Sequence, residues 1–320
     1  MADSSSGRVA EPKATQGEIK RHSWLAAFWL RMVREKPLGM VGVVITVILL
    51  VTGIFADFIA PYGMNQTHTD FYMVGSSAKF WLGTDNLGRD ILSRVIFGAR
   101  ISVIIGVAAS ALSTINSAFI GILCGYIGGK LDLIVQRFVD AWMCLPGLIV
   151  LMIVISFIGP GMLTLIISMG ILGGIGGSRI VRSAVIAVKG NVYVSAAEAI
   201  GCSTTRMLTR HILPNVMAPI IILFSLRVPG VILTEASLSF LGFGIPPPFP
   251  SWGGMLSGSG RAYMFVAPWM VLWPGIALGV VVYGLNMFGD AVRDILDPRL
   301  RGGVGRYGTK QSKEEVPRKK

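Results

Sequence analysis

The sequence predicts an all-α polytopic membrane protein with six transmembrane helices. Hydrophobic residues make up 52% of the 320 positions and charged residues only 14%, roughly half the charged share of a soluble domain. The charges are clustered, so long uncharged stretches remain between them. The 40 glycines fit helices that pack closely or break inside a bilayer.

Residues 1–37 form an N-terminal tail. Its first part is rich in Ser, Ala and charge and is expected to be mobile. Residues 20–36 alternate aromatic and basic positions (Trp24, Phe28, Trp29, Arg31, Arg34), which predicts an amphipathic helix on the inner leaflet. Roughly 37 polar residues before the first apolar run exceed the short basic region of a cleaved signal peptide, so the first span is expected to act as a signal anchor. That span is placed at 38–60, ended by Pro61, and 61–100 is read as an extracytoplasmic segment. The core, 101–297, carries five further spans. The second is expected at 101–127, ended by Gly128 and Gly129. The third is expected at 133–158 with Arg137 and Asp140 at its start and Pro146 inside it. A Gly159-Pro160-Gly161 turn leads to the fourth at 162–186. The fifth is expected at 216–240, and the sixth at 267–288, ending at Asp290. Residues 298–320 make a basic tail.

Basic residues set the orientation. With both termini in the cytosol, inner segments hold 23 Lys and Arg and outer segments five, with Arg227 inside the fifth span. The net charge of +12 is therefore assigned to the anionic inner leaflet, and no nucleic-acid partner is implied. Three cysteines and three histidines are scattered without disulfide or metal spacing. No cofactor is expected.

The same orientation puts a polar, basic loop, 187–215, in the cytosol. Its core, YVSAAEAIGCSTTRMLTRHILPN, begins with small residues (Ser195, Ala196, Ala197, Ala199) that let a helix pack closely on a partner. Gly201 stops that helix, Ser203 is placed to cap a second one through Arg206, Met207, Leu208 and Arg210, and Pro214 marks the return to the membrane. This reads as a docking knuckle. The competing reading sets Arg206 and Arg210 on lipid phosphates.

The knuckle and its flanks resemble the permease subunits of ATP-binding-cassette importers, in the branch of second permeases of dipeptide, oligopeptide and nickel systems. That family carries Glu-Ala-Ala, three residues, Gly, nine residues, then hydrophobic-Leu-Pro. The matching positions are Ser195-Ala196-Ala197, Gly201 and Ile212-Leu213-Pro214, with Ser195 where Glu is usual and Glu198 one turn away. LGTDNLGRDILSRVIFGAR, TEASLSFLGFGIPPPFPSW and GDAVRDILDPRLR resemble further family segments in the same order, as do Arg137, Asp140 and Pro146.

The resemblance implies a type I importer permease fold in a bacterial inner membrane. It implies a second permease subunit, two ATPase subunits beneath, and an extracytoplasmic solute-binding protein. The knuckle would be the coupling helix. Met207 and Leu208 would supply apolar contact with the ATPase, and Arg206 and Arg210 would meet its acidic groups. This chain has no G-x-x-x-x-G-K-[ST] loop, so ATP hydrolysis is expected elsewhere and the chain is not itself an enzyme.

Two ionisable residues in the fifth span are functional candidates by their cost in a membrane. Glu235 is read as a gate or pathway residue, or as a structural carboxylate satisfied by a neighbour such as Ser237. Arg227, roughly 12 Å away along the helix, is expected to meet another span or the pathway. Gly170, Gly173, Gly174, Gly176 and Gly177 mark close helix contact in the fourth span, with a hinge as the alternative. Arg179 and Arg182 are expected to bind phosphates at its end. The segment around Asp85 and Asp90 is read as a cap for the second span and a contact for the binding protein. Trp252, Trp269 and Trp273 are read as an interfacial belt. Short peptides are the expected cargo. Nickel or another small solute, or a stand-alone channel or secondary transporter, are the alternatives.

Overall fold

A computed structural model describes residues 32–33 and 36–296. The basic C-terminal tail and nearly all of the expected N-terminal amphipathic segment lie outside these residues. Among the described residues the chain is helical, with two isolated β-bridges, Thr67 to Arg89 and Thr84 to Asp90. Among the described residues five helices are long and apolar enough to span a membrane, and a sharply bent helix pair brings the number to six if the pair is counted as one span.

Helix α1, Pro37–Ile54, starts with proline at its first position, where the missing N–H costs nothing. It breaks at Phe55 and resumes for one turn as α2, Ala56–Ile59. Arg100 holds that break. Its Nε donates to Gly53 O at 2.9 Å, and Nη2 donates to Ile54 O at 3.2 Å and Asp57 Oδ2 at 2.7 Å. A cation thus satisfies carbonyls left open at a helix C-terminus.

Helix α3, Ile91–Ile127, has 37 residues and starts ten residues before its expected position. Within the segment read as its cap, Asp90 is the N-cap: Asp90 Oδ2 accepts from Ser93 N at 2.8 Å and Ser93 Oγ at 2.6 Å. Arg94 and Arg100 were expected in the outer segment because they are charged. Both lie in the helix with their charges met locally, Arg94 donating to Met64 O at 3.1 Å and lying 3.8 Å from Asp85.

The expected third span is the main correction. Residues 133–158 do not form one helix but two, α4, Gly129–Met143, and α5, Gly147–Ile158, bent by 89°. Pro146 disfavours a helical Leu145 and stands as the N-cap of α5 rather than inside a helix. At about 1.5 Å per residue, α5 alone is about 18 Å long, short of the roughly 30 Å core. Helix α4 is held against α6, Met162–Lys189. Arg182 Nε donates to Asp132 Oδ1 at 2.6 Å, and Arg179 pairs with Asp140. These arginines were expected on lipid phosphates; here they staple two helices.

Among the described residues, helices α3 and α6 share the most extensive contact of any helix pair. Ser117 Oγ donates to Gly174 O at 2.6 Å, and Asn116 Nδ2 donates to Ile171 O at 2.8 Å. A Cβ on Gly174 would stand 2.7 Å from Asn116 Cβ, so the bare stretch of the fourth span is spent on close approach.

After α6 come α7, Val192–Ala199, and α8, Thr204–Arg206, which passes through a π-helical turn, Met207–Ile212, into α9, Leu213–Phe240. The sixth span, α12, Trp269–Leu296, runs past Asp290 to meet Lys36, whose Nζ lies 2.6 Å from Asp294. Between α9 and α12, two short helices, α10, Trp252–Leu256, and α11, Gly258–Ala262, close the loop end of the bundle.

Trp252 is 2% exposed, so it leaves the expected belt. Its Nε1 donates to Val95 O at 3.0 Å, and its ring fills the space left by Gly98. Trp269 also reaches inward, Nε1 donating to Thr84 O at 3.1 Å. Replacing Trp252 with alanine is expected to cost about 3–5 kcal/mol, read as a fall in the thermal midpoint of the detergent-solubilised chain.

Candidate coupling knuckle and intramembrane charges

The knuckle is built on one buried stripe. Val194 and Ala197 face inward at 1% and 8% exposure and pack with Val181, Val185, Met207, Ile212, Val216 and Leu223. The turn after α7 closes by hydrogen bonding. Cys202 N donates to Ala197 O at 3.1 Å and Gly201 N donates to Glu198 O at 3.0 Å, with Gly201 at φ +78°. This pairing is the Schellman arrangement, which places its turn residue in the left-handed region. The expected glycine stop is therefore present, in a defined geometry.

Three details differ from expectation. Ser203 occupies the N-cap of α8, but its side chain makes no capping bond. The helix of the fifth span does not begin at 216: the second knuckle helix runs unbroken through Pro214 into α9, Leu213–Phe240. A proline ring crowds the carbonyl four residues back and removes one N–H, and the wider π turn just before it gives the backbone room. Met207, expected at the surface, is fully buried, and Leu208 packs on the same core. Neither presents an open apolar face.

The exposed face of the knuckle carries other residues. Val192 and Ile200 are each 85% exposed, and Tyr193 is 43% exposed. Ser195, Ala196, Glu198, Gly201, Arg206, Arg210 and Pro214 are exposed as well. Among the described residues Arg206 and Arg210 form no ion pair. The signal for Val192 and Ile200 lay in the sequence. Val192 precedes the buried Val194 by two positions, which turns it to the opposite side of α7, and Ile200 is the C-cap residue beyond the end of that helix.

In the span itself Glu235 is 1% exposed. Ser239 Oγ donates to its Oε1 at 2.6 Å, whereas the expected partner Ser237 donates to Leu233 O at 2.8 Å. Glu235 Oε2 has no partner among the described residues. Ser239 also lines a cavity of about 360 Å³ at the loop end, together with Asp85, Arg89 and Arg94. Arg227 points elsewhere. Its Nη1 donates to Ser113 Oγ and to Ser117 Oγ of α3, the latter at 3.2 Å. The two charges therefore meet different partners and do not bridge.

Residues 117–302, more than half of the chain, match the family described as binding-protein-dependent transport system inner membrane component. The chain belongs to this family of transport permeases. It is a multi-pass inner-membrane protein. Residues 23–77 also match the N-terminal transmembrane domain of oligopeptide transport permease C. Among its relatives, the oligopeptide transport system permease protein OppC of Bacillus subtilis (strain 168) is 39% identical over 268 residues, covering 84% of this chain and 88% of that protein. The dipeptide transport system permease protein DppC of Alkalihalophilus pseudofirmus is 36% identical over 278 residues, 87% of this permease and 90% of its relative. The glutathione transport system permease protein GsiD of Escherichia coli O6:K15:H31 is 37% identical over 276 residues, 86% and 90% of the two chains. A solved structure of inward facing conformations of the MetNI methionine ABC transporter matches with a TM-score of 0.51 at 14% identity, over 64% of this permease and 96% of that chain. That likeness concerns the fold.

Proposed function

We propose that this permease forms half of the pathway of an ATP-driven importer for short peptides and takes its drive from a separate ATPase through the 187–215 knuckle. The observation that carries the reading is mechanical. A helix locked by a Schellman turn to an unbroken helical rod presents Val192, Tyr193 and Ile200 outward and leads straight into a membrane span. Such a rod passes a movement at its tip to the span as a rigid body. Exposed apolar groups, with the exposed Arg206 and Arg210 on the same loop, suit a groove with an apolar floor and acidic rim.

In this reading the knuckle and both termini lie in the cytosol, where the basic residues concentrate. Ser195, Ala196, Ala197, Glu198, Gly201 and Pro214 shape the coupling element. Met207 and Leu208 serve as its internal packing rather than its contact surface. ATP hydrolysis, for which this sequence has no phosphate-binding loop, takes place on two partner subunits, and a second permease completes the pathway. An extracytoplasmic binding protein delivers cargo to the loop end. Glu235, enclosed under the cavity at that end and bonded to Ser239, acts as a structural element of the outer gate. Relatives named for oligopeptide, dipeptide and glutathione transport favour peptides over nickel, and over a channel working alone.

The test is co-purification of the tagged permease with the products of neighbouring genes, followed by ATPase and uptake assays with a peptide panel in proteoliposomes. Peptide uptake that requires the ATPase, the second permease and ATP is expected. Solute movement by this chain alone would overturn the reading.

A further inference from the structure

Arg227 lies 14 residues after Leu213 and 13 before Phe240 in α9, so about 20 Å of helix separates it from either end. A charge at that depth is costly, and residues that carry one face a bundle interior or a water-filled cavity. The guanidinium is anchored on one side. Nη1 donates to Ser113 and Ser117, and Nη2 lies in the space that a side chain at Gly177 would fill. Two hydroxyls orient the group but do not neutralise it. Among the described residues no carboxylate pairs with Arg227.

Beside it opens a cavity of about 280 Å³. Arg227 is the one charged residue lining that cavity among those described, and Ser113, Gly173, Gly230, Thr234 and Met169 supply much of the rest. The walls combine small residues with the aliphatic side chains of Leu151, Leu226 and Val231 and one flexible thioether, which adapts to groups of different shape. Glu235, the other ionisable residue of α9, does not line this cavity and is enclosed with Ser239.

From this geometry we infer that Arg227 is a substrate-binding residue that takes the C-terminal carboxylate of a peptide in transit at the middle of the membrane. The inference rests on the peptide reading above and adds to it a subsite and its chemistry. Short linear peptides differ in side chains but share an α-carboxylate. A guanidinium with its fork pre-oriented by serine acceptors matches that group in shape and charge. The adaptable walls leave the side chains unread, so the subsite accepts cargo of varied sequence.

The experiment compares trialanine with trialanine amide in proteoliposomes holding the complete importer and its binding protein. The readout is the acid-to-amide ratio of initial uptake rates, measured in wild type and in Arg227→Gln. The binding protein is the same in both, so its own preference cancels. A fall in the ratio of about 10-fold or more is expected, the size of a lost hydrogen bond to a charged group. Arg227→Lys keeps the charge but loses the two-point contact, and its ratio is expected between the two. An unchanged ratio in either variant overturns the inference. So do equal losses on both peptides with raised ATPase in the absence of cargo, which instead assign Arg227 to an ion pair with the second permease. A wild-type importer that moves neither peptide refutes the peptide reading itself, and the subsite with it.

Discussion

Gly201→Val is expected to reduce ATP-coupled uptake sharply while leaving the permease inserted and folded. A Cβ at this position meets nothing within 4 Å, so packing is not the cause. The cause is the backbone. Gly201 sits at φ +78°, where a residue with a Cβ costs about 1–2 kcal/mol and a β-branched one more. That strain is small beside the stability of the whole bundle. It is large beside what holds one exposed turn, so the Schellman pairing of Cys202 with Ala197 opens and the angle between α7 and the rod is lost. The new side chain also projects from the exposed face. Uptake is expected to fall at least about 10-fold, the effect of a 1.4 kcal/mol change on one equilibrium, with peptide-stimulated ATPase falling alongside. Gly201→Ala should retain more of both. Uptake and ATPase assays on the reconstituted importer measure the loss, and detergent thermal melts check the fold. A valine variant transporting at the wild-type rate would remove the turn from the coupling path.

Gly121→Leu is expected to prevent stable folding. At this crossing of α3 and α6 a Cβ would lie 2.6 Å from Ser178 O, 2.7 Å from Val181 Cβ and 2.9 Å from Arg182 N. Two of those neighbours are backbone atoms of a helix, which cannot rotate aside as a side chain does. Relief requires the helices to separate, which breaks the Ser117 and Asn116 bonds across the same interface. The cost is expected to exceed the roughly 1–3 kcal/mol of ordinary overpacking. Expression as a fluorescent fusion and its elution profile in mild detergent read the outcome. Gly279→Ala, where nothing lies within 4 Å, is the control and should behave as wild type. Normal yield from Gly121→Leu would mean that the two helices do not touch as described.

The spans were legible because burial in lipid demands long uncharged helices, and that demand writes itself directly into composition. Their ends were less so. Reading charge as a boundary placed the start of α3 at 101, but Arg94 and Arg100 find carbonyls and carboxylates inside the fold and so extend the helix outward. Pro146 was visible, yet a sequence does not say whether a proline kinks a helix or splits it. Here the split follows from Asp132 and Asp140, which draw α4 onto the arginines of α6. The glycine turn of the knuckle was legible in one residue, Gly201. The facing of Met207 was not, because its exposure depends on how the π turn rotates the helix ahead of Pro214. Trp252 misled for a similar reason. An aromatic residue near a span end suits an interface equally well in sequence, and only the gap at Gly98 turned it inward. Glu235 was found by its charge, while its true partner, Ser239, is set by the helical turn rather than by proximity in the chain.

The central claim is that the knuckle meets a nucleotide-hydrolysing subunit in the cytosol. The most direct measurement places a single cysteine at Ile200, in a variant with Cys124, Cys144 and Cys202 replaced, and treats inside-out and right-side-out vesicles with a membrane-impermeant maleimide and a short bifunctional cross-linker. Labelling only from the cytosolic side, and a cross-linked product containing the ATPase whose yield changes with ATP, is the expected result. Labelling from the exterior, or the absence of any ATPase adduct in the active assembled importer, would contradict it.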